Sequence, residues 1–337
     1  MLELIKNLSL INGTSGREND VREYIINEIK DYVDKYSVDP LGNLIVFKKG
    51  KNKANKKVML DAHMDEVAMI ITFIYDDGTL EFECVGGIDN RVIYGKSVIV
   101  GKNKISGVVG VKPIHMLSAS QKLDMPEKMY IDIGAENKEE AQKLVDLGDI
   151  AYFNSEFVKF GNGLIKGKAL DDRAGCAILI DMIKSELEYD LWFSFSAGEE
   201  TGSGFAGAAA YTVKPDYVFV VETTTAADLA DVSENKKVCK LSKGAVISFM
   251  DRGSIYPKDM YDKAFELAEK ENIKAQVKSA VAGGNNSRAI HTVNGGIKTL
   301  AVSMPCRYLH SPSCVLNIND IYETEKIIKA LALEYSK

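Results

Sequence analysis

Apolar spacing divides the chain into three textures. Over residues 1–35 the spacing is helical: after the loop Asn12-Gly13-Thr14-Ser15-Gly16, the side chains of Val21, Tyr24, Ile25 and Ile29 share one face of a helix that Ser15 or Gly16 could cap. Strands are predicted at 44–47 and 57–61. From about 67 to 160 the runs become short and β-rich (68–74, 78–84, 97–100, 107–111, 129–133, 150–153) and are separated by glycine turns, with one helix at 138–145. Asp76-Asp77-Gly78 is a hairpin signal. Short strands at such close spacing predict a small β-barrel. After Gly163 a different rhythm returns: helix 172–187, apolar strand 191–197, helix 202–211, apolar strand 217–222, amphipathic helix 260–271, strand 299–304 and closing helix 320–335. Strands that are apolar throughout need cover on both faces. The predicted fold class is α/β, a sheet covered by helices on both faces, with the catalytic domain formed by 1–66 and 161–337 and a β-barrel inserted at 67–160.

Composition narrows the function classes. The 337 residues are 46% hydrophobic and 27% charged, which allows a large core. A net charge of -6 without a long basic block gives no footprint for nucleic acid. The lysines at 48–53 read as a solvated hairpin tip. No apolar run approaches the ~18 residues of a membrane helix, and Met1-Leu2-Glu3-Leu4-Ile5-Lys6 lacks the order of a signal peptide. The five cysteines are scattered, odd in number and without a Cys-x-x-Cys pair, so neither a disulfide framework nor a zinc knuckle is expected. The expected location is cytoplasmic. Gly95-Lys96-Ser97 fails as a phosphate-binding loop because Asn90 stands where its first glycine belongs.

Metal-binding residue types gather where buried strands end, the position open α/β sheets use for their sites. His63 and Asp65 in Asp61-Ala62-His63-Met64-Asp65 point to the same side of an extended chain, so Asp65 can fix the second ring nitrogen of His63. Asp171 and Asp172 sit at a loop-to-helix junction, where either could simply cap the helix or Asp171 could bridge two metals through its two oxygens. Glu199 and Glu200 end an apolar strand and repel each other unless a cation is present. Glu222 ends another strand, and His310 lies in the proline-framed loop 305–312. Two histidines and three carboxylates suit zinc, with cobalt or manganese as alternatives. Two divalent ions, three carboxylates and a bridging hydroxide sum to near neutrality, which limits the cost of burial. Such a pair lowers the pKa of the water between them. Glu199, left free, can carry its proton to a leaving amine.

These five clusters, in this order, resemble the M42 glutamyl and deblocking aminopeptidase family, the tetrahedral aminopeptidases of the zinc exopeptidase clan. The loop Ser15-Gly16-Arg17-Glu18 and the insert stretches Gly86-Gly87-Ile88-Asp89-Asn90-Arg91, Lys112-Pro113-Ile114-His115 and Ile131-Asp132-Ile133-Gly134-Ala135 share the likeness, which spans nearly the whole chain. The resemblance implies a zinc-exopeptidase-type mixed sheet. It implies that His63, Asp171 and Glu222 hold one metal and Asp171, Glu200 and His310 the other. Glu199 would be the general base and Asp65 the residue orienting His63. It further implies peptide substrates cut at their N-termini and a homo-oligomer, a dodecamer with sites facing an inner chamber. Many relatives carry Asp where this chain has Glu222. Asn285-Asn286-Ser287-Arg288 stands where many read like Gly-Thr-Asp-Ala, which bears on substrate preference or assembly rather than on a metal ligand. A deacylase on the same scaffold, or a glucanase using Glu199 and Glu200 as its acid pair, are the competing readings.

Overall fold

A computed structural model describes residues 1–116 and 129–337. Helices α1 (Leu2–Leu10) and α2 (Asn19–Ile29) lead into strands β1 (Lys35–Val38), β2 (Leu44–Lys48) and β3 (Val58–His63). Then β4 (Ala68–Ile74), β5 (Leu80–Val85), β6 (Ser97–Val100), β7 (Ile105–Val111), β8 (Met129–Asp132) and β9 (Ile150–Phe153) close into a barrel in the order β4-β5-β8-β7-β6-β9, with α3 (Lys138–Leu144) between β8 and β9. Within the predicted insert, residues 117–128 lie outside the described part. The chain continues through β10 (Val158–Phe160), β11 (Leu164–Gly167), α4 (Leu170–Lys184), β12 (Leu191–Ser196), α5 (Ala206–Val213), β13 (Tyr217–Thr225), β14 (Ala245–Ile247), α6 (Lys258–Lys270), β15 (Ala275–Val277), α7 (Ser287–Ile290), β16 (Lys298–Cys306), β17 (Cys314–Asn317) and α8 (Ile318–Ser336).

The main sheet runs β1-β2-β12-β3-β13-β16-β14-β15. Its four middle strands, β12, β3, β13 and β16, are mutually parallel and are flanked by antiparallel β2 and β14. Every residue of β3 is buried, as its unalternated apolar run requires. One helical layer gathers around α4, which packs on β3 and β13 and against α1, α2 and α8, while α5 packs on β12 and β3 together with α7. Phe193, Phe195 and Phe219 are fully buried between the layers, each contributing roughly 1.5–3 kcal/mol by leaving water. The barrel has a core of its own, with Met69, Ile71, Leu80, Val98, Val109, Ile131 and Phe153 among its buried members.

Two features of this architecture set the site. The parallel middle strands all end at one edge, so the residues following them meet there. The small sheet β10-β11-β17 pairs the chain leaving the barrel with the segment just after His310, in the register Leu164↔Asn317 to Gly167↔Cys314, and so brings the 307–313 loop against the barrel. Some boundaries differ from expectation. Strand β13 runs on to Thr225, so Glu222 lies inside it rather than ending it. The helix predicted at 202–211 begins only at Ala206, because Gly198, Gly202 and Gly204 take φ of +68°, +67° and +70° and shape a turn before it.

Candidate metal centre

His63 closes β3, and the register Val220↔Asp61 carried two residues further sets Glu222 of β13 beside it on the same face. The Nε2 atom of His63 lies 3.4 Å from Asp171 Oδ1 and 3.4 Å from Glu222 Oε1. The Nε2 atom of His310 lies 3.2 Å from Asp171 Oδ2 and 3.2 Å from Glu200 Oε2. Two sets of donor atoms therefore converge, His63-Asp171-Glu222 and Asp171-Glu200-His310, and they share Asp171. Its two oxygens face different histidines, and the buried Oδ1 makes no hydrogen bond among the described residues. Burial without a partner costs a carboxylate oxygen heavily unless a cation meets it. The nitrogen-and-carboxylate donor set suits a pair of divalent ions of the zinc type.

The tautomers follow from the backbone. His63 Nδ1 is 3.0 Å from the carbonyl of Asp65, and His310 Nδ1 is 2.8 Å from the carbonyl of Gly87. A carbonyl can only accept, so each Nδ1 carries a hydrogen, and Nε2 is the nitrogen that each ring turns to the cluster. The side chain of Asp65 stands farther from His63 Nδ1, at 3.4 Å. Its carboxylate accepts instead from Ser15 Oγ at 2.6 Å and from the backbone N–H groups of Glu199 and Glu200 at 3.1 and 3.0 Å. Asp65 thus contacts His63 through its main chain and fixes the acidic turn through its side chain. Glu18, buried, assists by accepting from Gly198 N at 3.1 Å.

The neighbouring aspartates divide their work. Asp172 is the capping residue, with Oδ1 accepting from Gly175 N at 3.0 Å, while Asp171 faces the histidines. The unforeseen element is Arg173, fully buried, which donates to the carbonyls of Met64 (2.6 Å), Leu8 (2.6 Å), Ile11 (2.9 Å) and Gly13 (3.1 Å). It clamps the chain just after His63 to the N-terminal loop. Asn286 was also outside the sequence reading as a site residue. Buried, it donates to Asp61 Oδ2 at 2.9 Å and Ser196 Oγ at 2.7 Å, tying the 285–288 loop to β3 and β12. Neither residue has a local signature, since each finds its partners far away in sequence.

All seven predicted residues but Asp65 line the same cavity of about 530 Å³, with Thr223–Thr225, Lys278, Asn285, Asn286 and Arg288 on its other walls. Burial pushes Glu199 up to about 7 and Glu222 up to about 8, with the charge of Asp171 adding to each, and Glu200 is raised likewise. Asp171 goes the other way: burial would raise it, but the two histidines hold it below the usual carboxylate range. For His310 burial would lower the imidazole, yet Asp171 and Glu200 lift it to about 10. The cluster alone is an array of acids and imidazoles that must hold protons to be tolerated.

The family model for M42 glutamyl aminopeptidase matches residues 42–327. The chain belongs to the M42 aminopeptidase family. A presumptive aminopeptidase of Acetivibrio thermocellus is 39% identical over 97% of this chain and 97% of its own length. The lysyl aminopeptidase of Pyrococcus furiosus is 30% identical over 98% and 96%. In structure the chain superposes on the TET1 peptidase of Pyrococcus horikoshii, which can assemble into a tetrahedron or a large octahedral shell, with a TM-score of 0.85 at 38% identity over 98% of both chains. M42 membership makes this chain an aminopeptidase-type hydrolase, with the barrel and mixed sheet in the arrangement of those relatives. No helix among the described residues is long and apolar enough to cross a membrane.

Proposed function

We propose that the chain is a dinuclear metallo-aminopeptidase that removes residues from the N-termini of peptides. The observation that carries this reading is Asp171, whose two oxygens face two separate donor sets. His63, Asp171 and Glu222 would hold one divalent ion and Asp171, Glu200 and His310 the other, zinc before cobalt or manganese. Such a pair, when bound, supplies Lewis acidity to a carbonyl and lowers the pKa of a water. Glu199 is the general base: it lines the cavity beside the donors, and its main chain is anchored by Asp65. Its carboxylate takes the proton of the attacking water and returns it to the leaving amine. Without cations, burial raises its pKa to about 7.

Residues 1–66 and 161–337 form the catalytic domain in this reading, and 67–160 the insert used in assembly. Homo-oligomeric shells of the kind the TET1 peptidase makes would place the cavities inside a chamber. The five unpaired cysteines agree with a reducing cytoplasm. The test is chelation followed by reconstitution. Chelator-treated protein should lose release of N-terminal residues and regain it with zinc, cobalt or manganese, and Glu199→Ala should lower kcat by about 10²–10⁴-fold with the metal retained. Full activity after chelation, or in the Glu199→Ala variant, would sink the mechanism; a chelator-resistant hydrolysis of glucans would favour the glucanase instead.

A further inference from the structure

Two of the five cysteines meet, and the loop between them carries His310. Cys306 ends β16 and Cys314 begins β17. Both are fully buried, and the S–H of Cys306 is turned to the sulfur of Cys314. The backbone is clamped beside them: Arg307 N bonds the carbonyl of Val315 at 3.0 Å, and Val315 N bonds that of Arg307 at 2.9 Å. Cys306 and Cys314 each precede a member of this antiparallel pair, so both side chains turn to the face opposite Arg307 and Val315. Beyond the clamp the loop is held in an unusual shape. Tyr308 and His310 take φ of +58° and +55°, which residues other than glycine keep only where their surroundings fix them. The Cys314 thiol is one such fixture, 3.5 Å from the carbonyls of both Tyr308 and Ser311. Cys314 also lines a crevice of about 10 Å³ together with His310, Asp171 and Glu200, space for about one water.

We infer that Cys306 and Cys314 are a modification site, which peroxide converts to an intrachain disulfide that draws His310 away from the metal centre until it is reduced again. The effect on the centre rests on the dinuclear reading; the disulfide does not. Hydrogen peroxide, little larger than water, reaches Cys314 through the crevice. The sulfur attacks one peroxide oxygen, the O–O bond breaks, and the departing hydroxide leaves as water with the thiol proton. The sulfur of Cys306 then attacks the sulfenic sulfur of Cys314, the S–O bond breaks, and that hydroxide leaves with the Cys306 proton as a second water. Two thiols are oxidised to one disulfide, and one peroxide is reduced to two waters. The new bond pulls the sulfurs to about 2 Å and removes the S–H that Cys314 offers to the loop carbonyls. Drawing in the ends of the loop while releasing its middle shifts His310 Nε2 from the 3.2 Å it keeps to Asp171 and to Glu200. The set His63-Asp171-Glu222 has no member in this loop.

The test treats the full-length, metal-reconstituted protein with hydrogen peroxide, dialyses it, and reads thiols and metal separately. Trypsin cuts after Arg307, between the two cysteines, so the disulfide shows in an unreduced digest as a linked pair of peptides that dithiothreitol separates. Elemental analysis of the same sample should fall from two ions per chain toward one, after a loss of about 10–100-fold in affinity at the His310 set. Dithiothreitol followed by zinc should restore the second ion. Cys306→Ser, and Cys306→Ala should the first variant fold poorly, leaves the Cys314 thiol in place. It should give no linked pair and keep both ions through the same treatment. Absence of the linked pair in the wild type, or linkage of either cysteine to a different one, overturns the assignment. A linked pair with both ions retained, or equal loss of an ion from the wild type and the Cys306 variant, overturns the effect on the centre. Protein that takes up no metal before peroxide is added counts against the dinuclear reading, and the linked peptides then decide for or against the thiol site by themselves.

Discussion

The two oxygens of Asp171 point at different histidines, and the protons of the site follow from that placement. Without cations, Glu222 is raised to about 8, chiefly by burial, and His310 to about 10 by Asp171 and Glu200. Near neutral pH both therefore hold protons that a divalent ion must displace, because metal ligation needs the carboxylate ionised and the imidazole neutral. Metal uptake should release protons, and the number released per chain should fall as pH is raised through 8, where Glu222 has already ionised. Calorimetric titration with zinc in buffers of different ionisation enthalpy, between about pH 6.5 and 9, measures this directly. Affinity should weaken on the acid side for the same reason. A proton count that rises with pH would mean that Glu222 is not among the ligands.

The donor residues come from strands β3 and β13 and from the segments that follow β11, β12 and β16, and a buried arginine holds the chain just after β3 in place. Arg173 sits in the fourth position of α4 and donates to four carbonyls from the N-terminal loop and the end of β3, with Glu66 Oε1 a further 3.6 Å away. Arg173→Met would orphan those carbonyls and leave Lys168 alone with Glu66, a loss of about 3–5 kcal/mol, read as a lower denaturant midpoint with an unchanged m-value. The sequence shows none of this, since residue 173 gives no sign of which carbonyls lie 109 to 165 positions away. What it does show is local. The middle strands of the sheet are legible because their apolar runs are unbroken, and the barrel is legible from its turn spacing. Strands β1 and β10 are exposed throughout, and β14 and β15 have three residues each, too few to carry a period. They exist because a neighbouring strand offers them hydrogen bonds. The same split holds at the site. His63, Asp171, Glu199, Glu200, Glu222 and His310 stand out by type in or just after buried strands, whereas Asn286 acquires meaning only from what surrounds it in three dimensions.

At the scale of the whole molecule the barrel and the main sheet have separate cores, yet a hydrogen bond crosses from the first into the metal-type cluster. The carbonyl of Gly87, from the loop after β5, holds His310 Nδ1. Gly86 just before it has φ +89°, and a Cβ there would come within 2.7 Å of Val67 Cγ1 and 3.3 Å of Glu200 Cβ. Gly86→Ala must therefore move the loop or the acidic turn, and either shift loosens His310 from its acceptor. Losing such an outer partner weakens metal affinity by about 10–100-fold. The set Asp171-Glu200-His310 should suffer and the set His63-Asp171-Glu222, which the loop does not touch, should be spared. Elemental analysis after dialysis should then fall from two ions per chain toward one. Light scattering on the same sample tests the assembly role proposed for the insert. The wild type should run as a twelve-fold multiple of the 37.1 kDa chain, and the variant should keep that mass if Gly86 serves the site rather than the shell. Two ions retained at wild-type affinity would confine the insert to assembly; loss of mass together with loss of one ion would mean that shell and centre are coupled through this loop.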